Sequence, residues 1–211
     1  MEIHVPSGRP HSWKNFAIEL GTITTGILIA LTLEALVEQR HFRVLADEAR
    51  ETITSEIKDN AEEVRGTLKG TAESSRNNEA ALKVVEELLA TRKSNATEFS
   101  LGAHAAELSS SSWQTAQHIG ALIHMPYSEV QQFSKIYGLQ DLFAAHQRQS
   151  VERLASALSL VRGKDPHTLS PEDLRTLRTQ ILELQGNLFL VESFGEGLLK
   201  AYQKVLGKEP G

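Results

Sequence analysis

The chain contains no cysteine. Disulfides, thiolate catalysis and cysteine-based metal sites are therefore excluded, and a cysteine-free domain is compatible with an oxidising compartment. It has no basic block either. Its 22 Lys and Arg stand against 27 Asp and Glu, a formal net charge of −5, which argues against a nucleic-acid partner. No segment alternates apolar and polar residues for long enough to be a strand. No solenoid-length repeat and no glycine-rich phosphate loop are present. There is no His-Glu-x-x-His, and His118 and His124, six apart, do not share a helical face. Ser109 to Ser112 near His118 can be drawn as nucleophile and base, but no strand-turn-helix elbow or oxyanion glycine accompanies them. The sequence thus predicts no enzyme, no metal and no cofactor.

What it does contain is an apolar stretch near the N-terminus. Phe16 to Leu33 is 18 residues with one ionisable group, Glu19. At ~1.5 Å rise per residue it spans ~27 Å, close to a ~30 Å hydrocarbon core. It is apolar all round, whereas a soluble helix keeps a polar stripe. Trp13 and Phe16 beside Lys14 fit an interfacial belt. The exit, Leu33-Glu34-Ala35-Leu36-Val37-Glu38, has no A-x-A cleavage pattern and continues as helix, so the stretch reads as an uncleaved signal anchor. Lys and Arg alone do not set its orientation, since Arg9 and Lys14 precede it and Arg40, Arg43 and Arg50 follow. The short, net-positive tail against an acid-rich exit points to a cytoplasmic N-terminus and a periplasmic domain.

The anchor has two faces. Glu19, Thr22, Gly26, Ala30 and Glu34 fall on one side, where Thr22-x-x-x-Gly26-x-x-x-Ala30 is a small-residue ladder that lets two backbones approach in lipid. It reads as a contact for self-association or a membrane partner, or as the ordinary abundance of small residues in membrane helices. Glu19 either snorkels at the interface or makes a polar contact to a partner helix.

Residues 1–12 read as an irregular tail, 13–37 as the anchor helix and 38–211 as an extramembrane α-helical domain. Ser12 is a candidate N-cap for the anchor. Beyond it, Leu45, Ala49, Ile53, Ile57, Ala61, Val64 and Leu68 form one apolar stripe, with Glu51, Glu56, Asp59 and other charged residues on the solvated faces. Gly66 and Gly70 each weaken the helix by ~1 kcal/mol relative to alanine, which leaves room for a bend there. Leu82, Val85, Leu88 and Leu89 resume the stripe, and 91–102 is a loop. A serine caps a short helix from Ser111 to His124, with Trp113, Ala116, Gly120 and Ile123 inward and Pro126 at its end. Ser128-Glu129-Val130-Gln131 reads as a capping box opening a helix to about Val161, with Leu142 and Val151 among its inward residues. Gly163 to Pro166 is a turn. Ser170-Pro171-Glu172-Asp173 starts a last helix whose stripe runs from Leu174 to Tyr202 and ends near Gly207. The fold class is all-α: an N-terminal transmembrane helix continuing into a bundle of about four helices. Trp113, Tyr127, Phe133 and Tyr137 cluster around the Pro126 turn as a candidate partner or ligand surface, or as a hydrophobic plug closing the bundle.

The run Thr22 to Glu34, after the lead-in His11 to Phe16, resembles the N-terminal anchor of a set of uncharacterised bacterial single-pass membrane proteins, whose anchor reads roughly I-x-x-G-I-L-I-A-L. The run Trp113 to Gln140 is similar to the middle of the same proteins. The resemblance implies a bacterial inner-membrane protein with a helical extramembrane domain, and it implies no activity. The function expected is a membrane-anchored interaction or accessory protein, partnered by the lipid bilayer and by a second protein or copy through the anchor. The alternative is a sensor-type domain that binds a small ligand between its helices.

Overall fold

The computed structural model describes residues 13–96 and 98–207. The tail, the Ser12 cap and Lys208 lie outside the described residues. Four α-helices are present, α1 (Trp13–Thr91), α2 (Ser111–His118), α3 (Tyr127–Val161) and α4 (Pro171–Leu206), and among the described residues there is no strand. α1 runs as one unbroken helix through Gly66 and Gly70. Chain contacts divide the molecule into two units, Met1–Asp47 and Glu48–Gly211.

In the first unit the apolar stretch has no tertiary partner among the described residues. Its most apolar 18-residue window has a mean hydropathy of 1.8 with none of it buried, so among the described residues one helix is long and apolar enough to cross a membrane. Leu20, Ile23, Ile27, Leu28, Leu31 and Leu33 are each more than half exposed. The Oγ1 hydroxyls of Thr22, Thr24 and Thr32 donate to the carbonyls of Ile18, Leu20 and Leu28 at 2.7–2.9 Å. These polar side chains are satisfied within the helix itself.

The second unit is a bundle of three long helices. Tyr137 meets Glu56, while Ala157 and Val161 share a core cluster with Val85 and Leu88, so α3 runs in the same direction as α1. Leu174 and Leu177 join that cluster and Tyr202 bonds Gln140 at 2.7 Å, so α4 runs back. The α4 start is as the sequence predicts: Ser170 Oγ accepts from the Asp173 N–H at 3.0 Å, with Pro171 at the first helical position. Leu174, Leu177, Ile181, Leu184, Leu188, Val191, Leu198 and Tyr202 are all fully buried.

Two other readings are corrected. The short helix stops at His118; Gly120 at φ 75° breaks it, a 3-10 turn covers Ala121–His124, and Ile123 is 83 % exposed. The second long helix, α3, begins at Tyr127 with Pro126 as its cap residue, so Ser128 is inside the helix and opens no capping box. Glu129 instead takes a two-pronged ion pair from Arg50, Nε–Oε1 2.5 Å and Nη2–Oε2 3.0 Å, which ties α3 to α1.

The connection from Arg92 to Ser110 is longer than most loops, and its described residues form neither helix nor strand. It begins at Arg92, φ 57°, a left-handed residue just past the helix end whose N–H bonds the Leu88 carbonyl at 3.1 Å. The Arg92 guanidinium then reaches the Leu169 carbonyl at 3.0 Å. An up-down-up-down bundle would use a helix for this return leg. Here an extended strap takes that place.

Candidate functional site

The strap has no secondary structure to satisfy its backbone, so α1 must supply partners. Buried residues of α1 recur every seven positions as Ile53, Asn60, Thr67, Ser74, Ala81 and Leu88, and again as Ile57, Val64, Thr71, Asn78 and Val85. The period holds while the chemistry changes from apolar to polar and back. The polar middle is where the strap lies.

Asn60 and Asn78 are the two clamps. Asn78 Oδ1 accepts from the Gly102 N–H at 2.9 Å while its Nδ2 donates to the Gly102 carbonyl at 3.0 Å. Asn60 holds Ser109 in the same two-bonded way, at 2.9 and 2.7 Å. Each amide reads one residue's donor and acceptor together, as a neighbouring strand would. The two asparagines are 18 residues apart, which is five whole turns at ~3.6 residues each, so they lie on one line along the helix, ~27 Å apart. The seven residue steps from Gly102 to Ser109 reach ~25 Å when extended. The strap is therefore drawn nearly straight, antiparallel to α1.

Between the clamps the strap comes close to the helix. The His104 ring lies over Gly70, where a Cβ would fall 2.4 Å from its Cδ2, and His104 Nδ1 is 3.1 Å from Ser74 Oγ. Gly102 itself sits 3.1 Å from Ser74 Oγ, measured from the Cβ it lacks. These glycines are explained by close approach and not by bending.

At the lower end of the strap stands Glu56, which is buried and which helical phase alone would have assigned to a solvated face. Its Oε2 accepts from Ser109 Oγ at 2.6 Å, Ser111 Oγ at 3.0 Å and the Ser112 N–H at 2.9 Å; its Oε1 accepts from the Tyr137 hydroxyl at 2.6 Å. Ser110, the residue before α2, makes no side-chain cap bond, so a carboxylate from another helix caps α2. Burial works to raise the Glu56 pKa. The donors Ser109, Tyr137, Ser112 and Ser111 outweigh it and hold the carboxyl below its ordinary value. Tyr137 shifts well above the usual tyrosine range, first through burial and then through its bond to Glu56 and the charge it carries. Tyr202 shifts up too, by burial, with the Gln140 bond acting in the opposite sense.

A carboxylate made less basic by four donors is a poor proton acceptor. His118, the other partner drawn for the serines, is exposed and its Nδ1 bonds the Gln114 carbonyl at 2.6 Å. The cluster is built to anchor a strap and a short helix. A shallow depression of about 340 Å³ beside it is lined by Thr52, Ser55, Asp59 and the serines.

No family model matches this chain, and no curated protein or solved structure matches it.

The aromatic candidates separate. Trp113 stacks on Tyr137 at 5.2 Å and 11° and meets Phe133 at 6.4 Å; all three are buried. They form the plug over the Glu56 cluster, and only Tyr127, 77 % exposed, lies at the surface, apart from them. Glu19, Thr22, Gly26 and Ala30 are exposed on α1, and a Cβ added at Gly26 would meet nothing within 4 Å. Among the described residues no three His, Asp or Glu side chains converge as a metal-holding group. His146 stacks on Phe194 at 4.7 Å, and the other described histidines outside α1 are exposed. Sequence reasoning missed Glu56, Asn60 and Asn78. The signal for the two asparagines was position in the seven-residue phase, with polarity against them; Glu56 lies in neither series.

Proposed function

We propose that this chain is a single-pass membrane protein whose helical domain, from Glu48 onward, acts as a non-catalytic interaction or accessory module. The observation that carries this is the bare apolar stretch of α1. About ten Leu, Ile and Val side chains exposed to water there would forgo on the order of 10 kcal/mol of burial, which a bilayer returns. The internally bonded threonines support the same reading, because a lipid-facing hydroxyl finds no water. The likeness of the anchor to bacterial single-pass proteins and the acid-rich exit favour an inner membrane, an N-terminus in the cytoplasm and a periplasmic domain.

The face of Glu19, Thr22, Gly26 and Ala30 is the contact to a second anchor or a membrane partner. Its open space at Gly26 supports close approach of another backbone. The test is extraction. The protein is expected in membranes after alkaline washing, with a fusion at the C-terminus reporting the periplasm. After mild-detergent purification a stoichiometric partner or a defined oligomer is expected, and Gly26→Ile should reduce its recovery severalfold. Release by alkali would sink the anchor, and unchanged recovery in Gly26→Ile would sink the contact face.

A further inference from the structure

Between α3 and α4, away from the strap, a groove of about 280 Å³ opens on the bundle surface. Its floor is apolar, from Ile136, Leu139 and Val205, and its rim carries Lys135, Lys200 and Lys204. None of the three lysines takes part in an ion pair among the described residues, in a chain of net charge −5. Lys200 and Lys204 stand one turn apart on α4, an arrangement of like charges that a helix disfavours. The helix dipole accounts for Lys204 in the last turn, and Glu196 stands one turn before Lys200 in the order a helix favours, which leaves Lys135 on the facing helix without such a reason. Gly197 completes the wall, and a Cβ there would meet nothing within 4 Å, so the missing side chain holds the groove open.

We propose that this groove binds a single-chain anionic amphiphile, a medium-chain fatty carboxylate, with its head among Lys135, Lys200 and Lys204 and its tail on the apolar floor. Three cations on one rim attract an anion, and the apolar floor beside them suits an apolar body. The volume lies near the low end for ligand sites, which fits one short chain and not a two-chain lipid. The inference gives the sensor-type alternative a specific site and does not depend on membrane anchoring.

The experiment uses the full-length chain in nanodiscs of zwitterionic phospholipid and a photoreactive decanoic acid, with the labelled peptides mapped by mass spectrometry. Label is expected on residues 132–139 and 197–205, competed by octanoate and not by octanol. Replacing the three lysines by glutamine should weaken labelling about tenfold, the combined effect of three exposed charge contacts. Gly197→Leu fills the groove at an open helical position, where folding is not at stake, and should abolish labelling. The proposal is overturned if the label falls only on 16–37, if a neutral alcohol probe labels the groove equally, or if labelling survives Gly197→Leu. Competition by phosphatidylglycerol in the disc would transfer the site to a bilayer headgroup and overturn the free carboxylate.

Discussion

Replacing Asn78 with alanine removes two hydrogen bonds and leaves the Gly102 N–H and carbonyl half-buried against α1 without a partner. At ~1 kcal/mol per neutral bond, plus a share of the desolvation penalty for the orphaned groups, the cost is about 2–3 kcal/mol. The loss should be local. The Ser109 end remains held by Asn60 and by Glu56, so amide exchange at Gly102 should rise about 30- to 100-fold while Ser109 changes little. Hydrogen exchange read by mass spectrometry on peptides covering 98–112 checks this directly. Asn78→Asp sharpens the test. The new carboxylate can still accept from the Gly102 N–H, but its other oxygen faces the Gly102 carbonyl, so at neutral pH it should be at least as damaging as alanine. On acidification the carboxyl protonates and can donate, and the defect should shrink. If both variants exchange at Gly102 like the parent and unfold within ~0.5 kcal/mol of it, the clamp does not hold the strap and the reasoning fails.

Glu56→Gln puts an amide donor against a set of donors, and should cost about 2 kcal/mol at neutral pH. Because the folded carboxyl is held below its ordinary value of 4.5, its contribution is full above that value and fades as pH falls through the folded pKa. Urea unfolding followed by Trp113 fluorescence should therefore show parent and variant converging at acid pH; a deficit independent of pH would refute the anionic role. Gly66→Ala should stabilise by ~1 kcal/mol, since its Cβ meets open space in mid-helix. Gly70→Ala should show no such gain, because its Cβ displaces the His104 ring and breaks the contact with Ser74. Equal midpoints for the two alanine variants would remove the proposed role of Gly70.

The apolar stripe of α4 was legible at every position but one, because there period and polarity agree; at the exception Gly195 is buried and Phe194, expected inside, is only half-buried. In α3 they part company. Leu142 and Val151, expected inside, are 48 % and 45 % exposed, while Gln140, Gln147 and Ser150 are buried in their place. The inward series Phe133, Gln140, Gln147 and Leu154 keeps a seven-residue spacing throughout. Choosing apolar residues instead of following the period led to the wrong face. Glu56 is a different case: it lies outside both seven-residue series of α1, and its burial comes from the strap and Tyr137 closing over it. The polar seam of α1 makes sense only beside its partner, an extended chain with an unsatisfied backbone, and the spacing of Gly66 and Gly70 could not tell which of them faces a ring. The aromatic cluster was legible as a neighbourhood, but Tyr127, the first residue of α3, is exposed and bonds Gln131 one turn on in its own helix.

A connection of this length would ordinarily accept an added or missing residue at small cost, since closing a loop depends only weakly on its length. The stretch from Gly102 to Ser109 is different. Deleting one residue leaves it too short to reach both asparagines, and inserting one residue in α1 between Asn60 and Asn78 swings the far clamp by ~100° around the helix. The helix thus serves as a ruler for the strap. Length changes in this protein should be tolerated between Lys93 and Ser100, and between Gly102 and Ser109 only alongside a change in α1 that keeps both asparagines on one line.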